Sequence, residues 1–412
     1  MPLTWLDLPA DTLFGVHNLP YGVFSTAGSA DRRLGVAIGD FVLDAAAAAR
    51  ATGLDQRLTG LLAAPDLNPL LAAGRADWTR VRAALTDWLT DPDHRPAVEP
   101  CLLPRAEVRL HLPFTVGDYV DFYASEHHAG NLGRLFRPGS EPLTPNWRHQ
   151  PIGYHGRSGS VVVSGTPVVR PNGQRKAPAD AVPDLGPSRR LDIEAEVGFV
   201  VGAPAPLGVP VPLADFADHV FGVCLVNDWS ARDIQAWEYV PLGPFLGKSF
   251  ATSVSPWVVP LDALAHARTA PPAREVQPLP YLDDRDGGDH WGLDLALEVR
   301  LNGSLVSRPP FAAMYWTAAQ QLTHMTVNGA GLRAGDLFAS GTVSGPDRGT
   351  EGALIELTWN GERPLKLADG SVRSFLEDGD EVVITATAPG PDGARIGFGE
   401  VAGRVLPAVR TA

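Results

Sequence analysis

Cysteine is nearly absent: Cys101 and Cys224 are the two that the 412 residues contain. They cannot make a disulfide framework and do not stand at metal-type spacing. A disulfide-stapled secreted domain and a thiolate zinc site are therefore excluded, and a reduced, cytoplasmic setting is the expectation. Positive charge is also scarce. The 34 Lys and Arg are outnumbered by 47 Asp and Glu, for a net charge of −13. That balance argues against nucleic acid and anionic membrane surfaces as partners. An anionic substrate needs cations gathered locally. Long apolar runs are missing too. The most hydrophobic stretch, residues 197–211, is cut repeatedly by proline and glycine and is too short to span a membrane. The start, from Met1 to Pro9, lacks the basic-then-apolar order of a signal peptide. No Gly-x-Ser-x-Gly elbow occurs, so a serine nucleophile has little support.

What is present is turn chemistry. The 43 glycines and 38 prolines predict short strands and many turns rather than long helices. The length exceeds one typical domain. Residues 21–26 and 33–44 read as strands, followed by helical patterns over 45–51 and 77–89 and a strand over 107–112 ending at Pro113. This first region, 1–113, holds no concentrated polar chemistry and reads as a small β-rich domain serving structure or assembly. The remainder, 114–412, reads as mostly β with a few helices. Residues 117–123 and 191–197 alternate like strands, and Ser125 can cap a helix holding His127, His128 and Asn131. Strands are expected over 295–301 and at several places between 337 and 405, with a helix over 311–322. Asn302-Gly303, Asn360-Gly361, Asp369-Gly370 and Asp378-Gly379 look like hairpin turns.

The stretch Asn227–Phe250 concentrates polar and aromatic chemistry. Asp228, Arg232 and Gln235 share a face if the segment is helical, and Lys248 follows a loop with Gly243 and Gly247. Asp and Arg at this spacing equally suit a weak surface pair of about 0.3–0.5 kcal/mol. Trp229, Trp237, Tyr239 and Phe245 favour packing over a free surface. A phosphate loop is excluded, because only three residues separate Gly243 from Gly247 and no capping helix pattern follows Ser249.

Asp121, Glu194, Glu196 and Asp228 form the candidate acidic cluster. Each has an ordinary alternative. Glu194 and Glu196 fit the wet face of a strand, and Asp121 fits a turn cap. If the four meet, charge decides, because two carboxylates about 5 Å apart repel by roughly 3 kcal/mol at an effective dielectric near 20. Four ionised carboxylates then require a cation, and oxygen-only ligands favour calcium or magnesium over zinc.

Several motifs together resemble the fumarylacetoacetase family. They are Asp121-Phe122-Tyr123 with His128, Arg137, the run from Pro151 to Arg157, Glu194-Ala195-Glu196, and the block from Asn227 through Lys248-Ser249. The stretches 339–345 and 395–399 add to them. The resemblance spans essentially the whole chain. It implies a small SH3-like β-barrel followed by a larger mixed β-roll catalytic domain, acting as a homodimer. The implied reaction is hydrolysis of a carbon–carbon bond in a β-diketone, 4-fumarylacetoacetate giving fumarate and acetoacetate. By position, Asp121, Glu194, Glu196 and Asp228 match the family's calcium ligands. A second site, for magnesium, uses Asp228 with the region of Lys248 and Thr252, where Ala251 replaces an expected glycine. His128 matches the base and Glu356 its carboxylate partner. Tyr123, Arg137, Tyr154, Gln235, Tyr239 and Thr342 match substrate contacts.

The chemistry asks for an activated water, a held oxyanion and a stabilised enolate. His128 is the candidate base, although beside His127 it also fits a surface pair. Glu356 lies in the apolar run 354–357, read as a strand, where a glutamate also fits a solvent-facing position. Arg232, Gln235 and Lys248 are candidates to hold the oxyanion. Two other classes stay open on the sequence: a related decarboxylase or isomerase of 2-oxo acids, and a non-catalytic cation-binding protein.

Overall fold

The computed structural model describes residues 4–285 and 291–410. Met1 to Leu3, part of the start read above, lie outside the described residues, as do Arg285's successors 286–290 and the last two residues. The chain is mostly β. A 13-stranded sheet is its spine. Its first strands come from the N-terminal region: Tyr21–Thr26, Ser29–Ile38, Phe41–Asp44, Leu102–Pro104 and Val108–His111. They pair in the order 102–104, 41–44, 29–38, 21–26, 108–111, and no further pairing closes this strip into a barrel among the described residues. The segment read as one strand over 33–44 is two, because Gly39 at φ +55° turns the chain.

Helices cover the strip. Asp44 caps the alanine-rich helix Ala45–Thr52 by accepting from Ala47 N, and Gly53 ends it in the left-handed region. The amphipathic helix Arg75–Thr90 buries Trp78, Val81, Leu85, Trp88 and Leu89.

The N-terminal strip is continuous with the second region. Tyr21 pairs with Val258 in the strand Trp257–Pro260, and from there the sheet runs through Val220–Asp228, Ala195–Val201, Leu337–Ala339, Tyr119–Phe122 and Gly153–His155. One hydrophobic cluster accordingly joins Trp78 and Val81 to Val226, Val254, Val258 and Leu337. Strands 195–201 and 220–228 are buried along their whole length, so their apolar runs are covered on both faces. A second sheet of five strands, led by Ala296–Leu301, Glu381–Pro389 and Arg395–Leu406, packs its buried positions into the larger core.

Three local expectations change. Residues 311–322 are not one helix: Phe311–Ala313 is a single 3-10 turn, and the α-helix starts at Ala318 behind a Thr317–Gln320 capping box. Asp228 ends a strand instead of opening the helix, which runs Arg232–Glu238. Of the aromatics expected to pack, Trp229 is buried, whereas Trp237 and Phe245 are exposed. Asn302-Gly303 does connect a hairpin, between 296–301 and 304–307.

Candidate active site

Sheet register assembles the acidic cluster. Ala195 pairs with Asn227, so Glu194 and Glu196 start their strand beside the point where Asp228 ends the neighbouring one. Gly198 pairs with Ala339, and Ala339 with Asp121, two strands further along. All four carboxylates therefore lie at one end of adjacent strands. Each offers an oxygen, and these oxygens lie within 4.8 Å of one another. All four residues are buried, Glu196 and Asp228 completely. The wet-face alternative for Glu194 and Glu196 is thereby excluded.

Charge in this cluster is only partly compensated. The Lys248 ammonium contacts Glu194 and sits 2.8 Å from Asp228 Oδ2. Thr252 Oγ1 donates to Asp228 Oδ1 at 3.1 Å, and the Tyr154 hydroxyl donates to Oδ2 at 3.3 Å. Burial alone would raise Glu194, but Lys248 and Arg232 outweigh it and hold the carboxyl below its ordinary range. Burial and then the neighbouring carboxylates push Asp121 and Glu196 well above that range. Both oxygens of Glu196 and Oδ1 of Asp121 are buried without a hydrogen-bond partner. Orphaned carboxylate oxygens of this kind, aimed at one another, fit a hard divalent cation.

Beside the cluster stands a histidine–glutamate pair. Ser125 caps the helix Glu126–Phe136 by accepting from His128 N, which fixes His128 in the first turn. His128 Nδ1 and Glu356 Oε2 are 2.6 Å apart, and Nε2 faces Glu194 Oε1 at 3.7 Å. The ring meets Tyr123 edge-on, with centroids 5.3 Å apart. His128 is buried, so the surface-pair alternative is excluded. Glu356 is not on a strand. It sits in the one-turn helix Leu354–Leu357 and is buried, which also overturns the solvent-facing reading. Asn131 Nδ2 donates to its Oε1 at 2.9 Å and Ser344 Oγ to its Oε2 at 3.0 Å. Burial would raise Glu356, yet His128 and these donors keep it below the ordinary value.

Arg232 bridges the two halves. Its Nε donates to Asp192 Oδ2 at 2.8 Å, and its Nη1 reaches Glu194 Oε1 at 2.7 Å and Gln235 Oε1 at 3.2 Å. Nη2 is buried and unpartnered. Gly247 lets the following loop close on this helix, since a Cβ there would lie 2.8 Å from Gln235 N. The Thr342 hydroxyl is also buried and unpartnered. Gly341, at φ +76°, turns the chain just before it.

The remaining expected residues stand further out. Tyr239 caps the Arg232–Glu238 helix and packs its ring on Phe136, 6.4 Å between centroids. Arg137 ends the His128 helix and donates to Pro142 O at 2.9 Å.

Four polar residues at the site were given no role in the sequence reading: Tyr119, Asn131, Asp192 and Ser344. The Tyr119 hydroxyl is buried and unpartnered, and its acidity is suppressed by burial and then by Asp228, Asp121, Glu196 and Glu194. Asp192 stands two positions before Glu194, in phase with Glu-x-Glu. That phase, and the placement of Asn131 three residues after His128 on a helix, were the usable signals.

Fold and site together define a mostly β protein with a buried carboxylate cluster, fit for a divalent cation, beside a histidine–glutamate pair. Comparison with known proteins narrows this. The family described as Fumarylacetoacetase N-terminal matches residues 17–113, and that described as Fumarylacetoacetate (FAA) hydrolase C-terminal matches 119–406. The chain is 47% identical to the fumarylacetoacetase of Homo sapiens over 420 residues, covering 99% of each chain. It is also 47% identical to that of Bos taurus over 426 residues, again covering 99% of each. The solved structure of a fumarylacetoacetate hydrolase from Exiguobacterium antarcticum shares the fold, with a TM-score of 0.54 at 17% identity over 94% of this chain and 99% of that one. The chain belongs to the fumarylacetoacetase family.

Proposed function

We propose that this hydrolase cleaves the carbon–carbon bond of 4-fumarylacetoacetate to give fumarate and acetoacetate. The observation that carries the reading is the 2.6 Å His128–Glu356 contact, with the other ring nitrogen directed at the carboxylate cluster. Glu356 holds the His128 proton on Nδ1, leaving Nε2 free to take a proton from water. The water oxygen bonds to a diketone carbonyl carbon. The resulting oxyanion is met by the unpartnered Nη2 of Arg232 and by Gln235 and Lys248. When the carbon–carbon bond breaks, its electron pair becomes the enolate of acetoacetate. His128 returns its proton to that carbon.

Asp121, Glu194, Glu196 and Asp228 are the proposed calcium ligands. Asp228 with Thr252 and the main chain at Lys248 is the proposed magnesium site. The Lys248 ammonium itself, whose acidity is lowered by Asp228 and Glu194, is a donor and not a ligand. A bound divalent cation supplies Lewis acidity toward the diketone and enolate oxygens. Tyr123, Arg137, Tyr154, Tyr239 and Thr342 are the proposed substrate contacts, with Arg137 binding a substrate carboxylate. We place the domain boundary at 113/114, supported by family matches that end at 113 and resume at 119. A homodimer in the cytoplasm completes the reading. Among the described residues, no helix is long and apolar enough to cross a membrane.

The deciding experiment follows loss of diketone absorbance on 4-fumarylacetoacetate, with and without a chelator. Turnover abolished by chelation and restored by calcium or magnesium is expected. No turnover at any metal concentration rejects the assignment. Turnover of a 2-oxo acid without hydrolysis points to the decarboxylase or isomerase class instead.

A further inference from the structure

Asp192 is completely buried, and its hydrogen bonds reach the backbone behind both halves of the site. Its Oδ1 accepts from Leu354 N at 2.7 Å and from Ile193 N at 2.7 Å. Its Oδ2 accepts from Ile355 N at 3.0 Å and from Arg232 Nε at 2.8 Å. Leu354 and Ile355 open the one-turn helix that ends at Leu357, and Ala353 before them supplies no side-chain cap. A helix start has main-chain N–H groups without partners. Here a carboxylate 162 residues earlier in the chain takes two of them. Glu356 is the next residue in that turn. One carboxylate thus grips, with both oxygens, the backbone that aims Glu356 at His128, and its Oδ2 also holds the guanidinium whose Nη2 has no hydrogen-bond partner.

We propose that Asp192 is a positioning residue that locks the His128–Glu356 pair and the Arg232 guanidinium into one fixed arrangement. The proposal rests on the roles assigned to Glu356 and Arg232 above. Asn131 and Ser344 orient the Glu356 carboxylate itself, whereas Asp192 fixes the main chain beneath it. Replacing Asp192 by Asn keeps the volume but turns one acceptor oxygen into an NH2. That group must then face N–H donors on whichever side it lies, so the Glu356 turn or the guanidinium has to move. Displacements of about 1 Å at such a point are enough to slow a reaction by about 100-fold.

The test uses the full chain with its divalent ion and measures kcat and KM per folded protein, with folding checked by circular dichroism melting. D192N is expected to lower kcat about 10–100-fold while KM stays within about threefold, because Asp192 touches no substrate. In a double-mutant cycle with E356Q, the loss in the double variant is expected to fall clearly short of the product of the two single losses, since part of the lock acts through that residue and part through Arg232. A D192N enzyme with near-wild-type kcat, or losses that multiply in the cycle, overturns the proposal. If E356Q itself is not slowed, the base assignment fails. If E356Q is slow and D192N is not, only the lock fails. Should D192N not fold, R232K and E356Q form a second cycle with Asp192 in place. Losses there that fall short of multiplying support the lock, and independent losses reject it.

Discussion

Replacing Glu356 by Gln tests the dyad directly. Glu356 Oε2 accepts from His128 Nδ1 and Ser344 Oγ, and Oε1 accepts from Asn131 Nδ2. Glutamine has a single acceptor oxygen. If that oxygen serves Asn131, its NH2 faces His128 Nδ1 and draws the ring into the tautomer with the proton on Nε2. The nitrogen that faces Glu194 at 3.7 Å then holds a proton and cannot accept one from water. If the oxygen serves His128 instead, two NH2 groups collide at Asn131, and the imidazolium formed during reaction loses its counter-charge. The first arrangement removes the general base and the second weakens it, a loss of up to about 10²–10⁴ in kcat, or about 3–5 kcal/mol of barrier at about 1.36 kcal/mol per decade. Leaving one buried donor unpaired costs about 1–3 kcal/mol of stability, so the variant should still fold at assay temperature. The assay is initial-rate loss of diketone absorbance at saturating substrate and metal, with a melt run in parallel. A variant that folds and keeps kcat within a few-fold of wild type would falsify the water-activation role.

The other predictions concern the metal, the backbone and the acid limb. Glu196→Gln removes a charge from the orphaned-oxygen cluster and should weaken divalent-ion binding in calorimetry. Calcium at about 100 times its Kd should stabilise the wild type by about 2.7 kcal/mol, and the variant should show a much smaller thermal shift. Unchanged calcium affinity in the variant contradicts the ligand set. Gly341→Ala places a methyl 2.1 Å from Phe122 O at φ +76°, so a loss above about 2 kcal/mol is expected, along with weaker substrate binding through displaced Thr342. Asp380 is buried, and burial alone would raise it. Contacts from Arg373 Nε at 2.9 Å, Asn302 Nδ2 at 2.8 Å and Glu377 N at 2.7 Å instead hold it below its ordinary value of 3.8. A depressed carboxylate stabilises the fold above its unfolded pKa and loses that contribution as pH falls through the folded one. Asp380→Asn should therefore melt lower at neutral pH, and its gap to wild type should narrow only below about pH 4, where an unfolded Asp begins to protonate. A gap that does not change with pH refutes the charge-based account.

The sequence by itself determined what short-range physics controls. Ser125 before a helical pattern marked the turn that fixes His128, because a cap needs only its own next three residues. The alternation around Glu194 and Glu196 placed both carboxylates on one strand face, and the block after Asn227 supplied Arg232, Gln235 and Lys248 on one helix and loop. Composition excluded disulfides and a basic binding surface. Whether the Glu194–Glu196 face was wet or buried could not be read, because alternation is the same in either case and only groups brought from elsewhere in the chain, His128, Arg232 and Lys248 among them, cover it. Glu356 was misread for a related reason: a four-residue apolar run looks alike in a strand and in one helical turn, and the distant Asp192 decides which it is. The meeting of Asp121, Glu194, Glu196 and Asp228 belongs wholly to tertiary structure. It depends on register across four paired strands, and a one-residue slip in any of them would turn a carboxylate to the opposite face of the sheet.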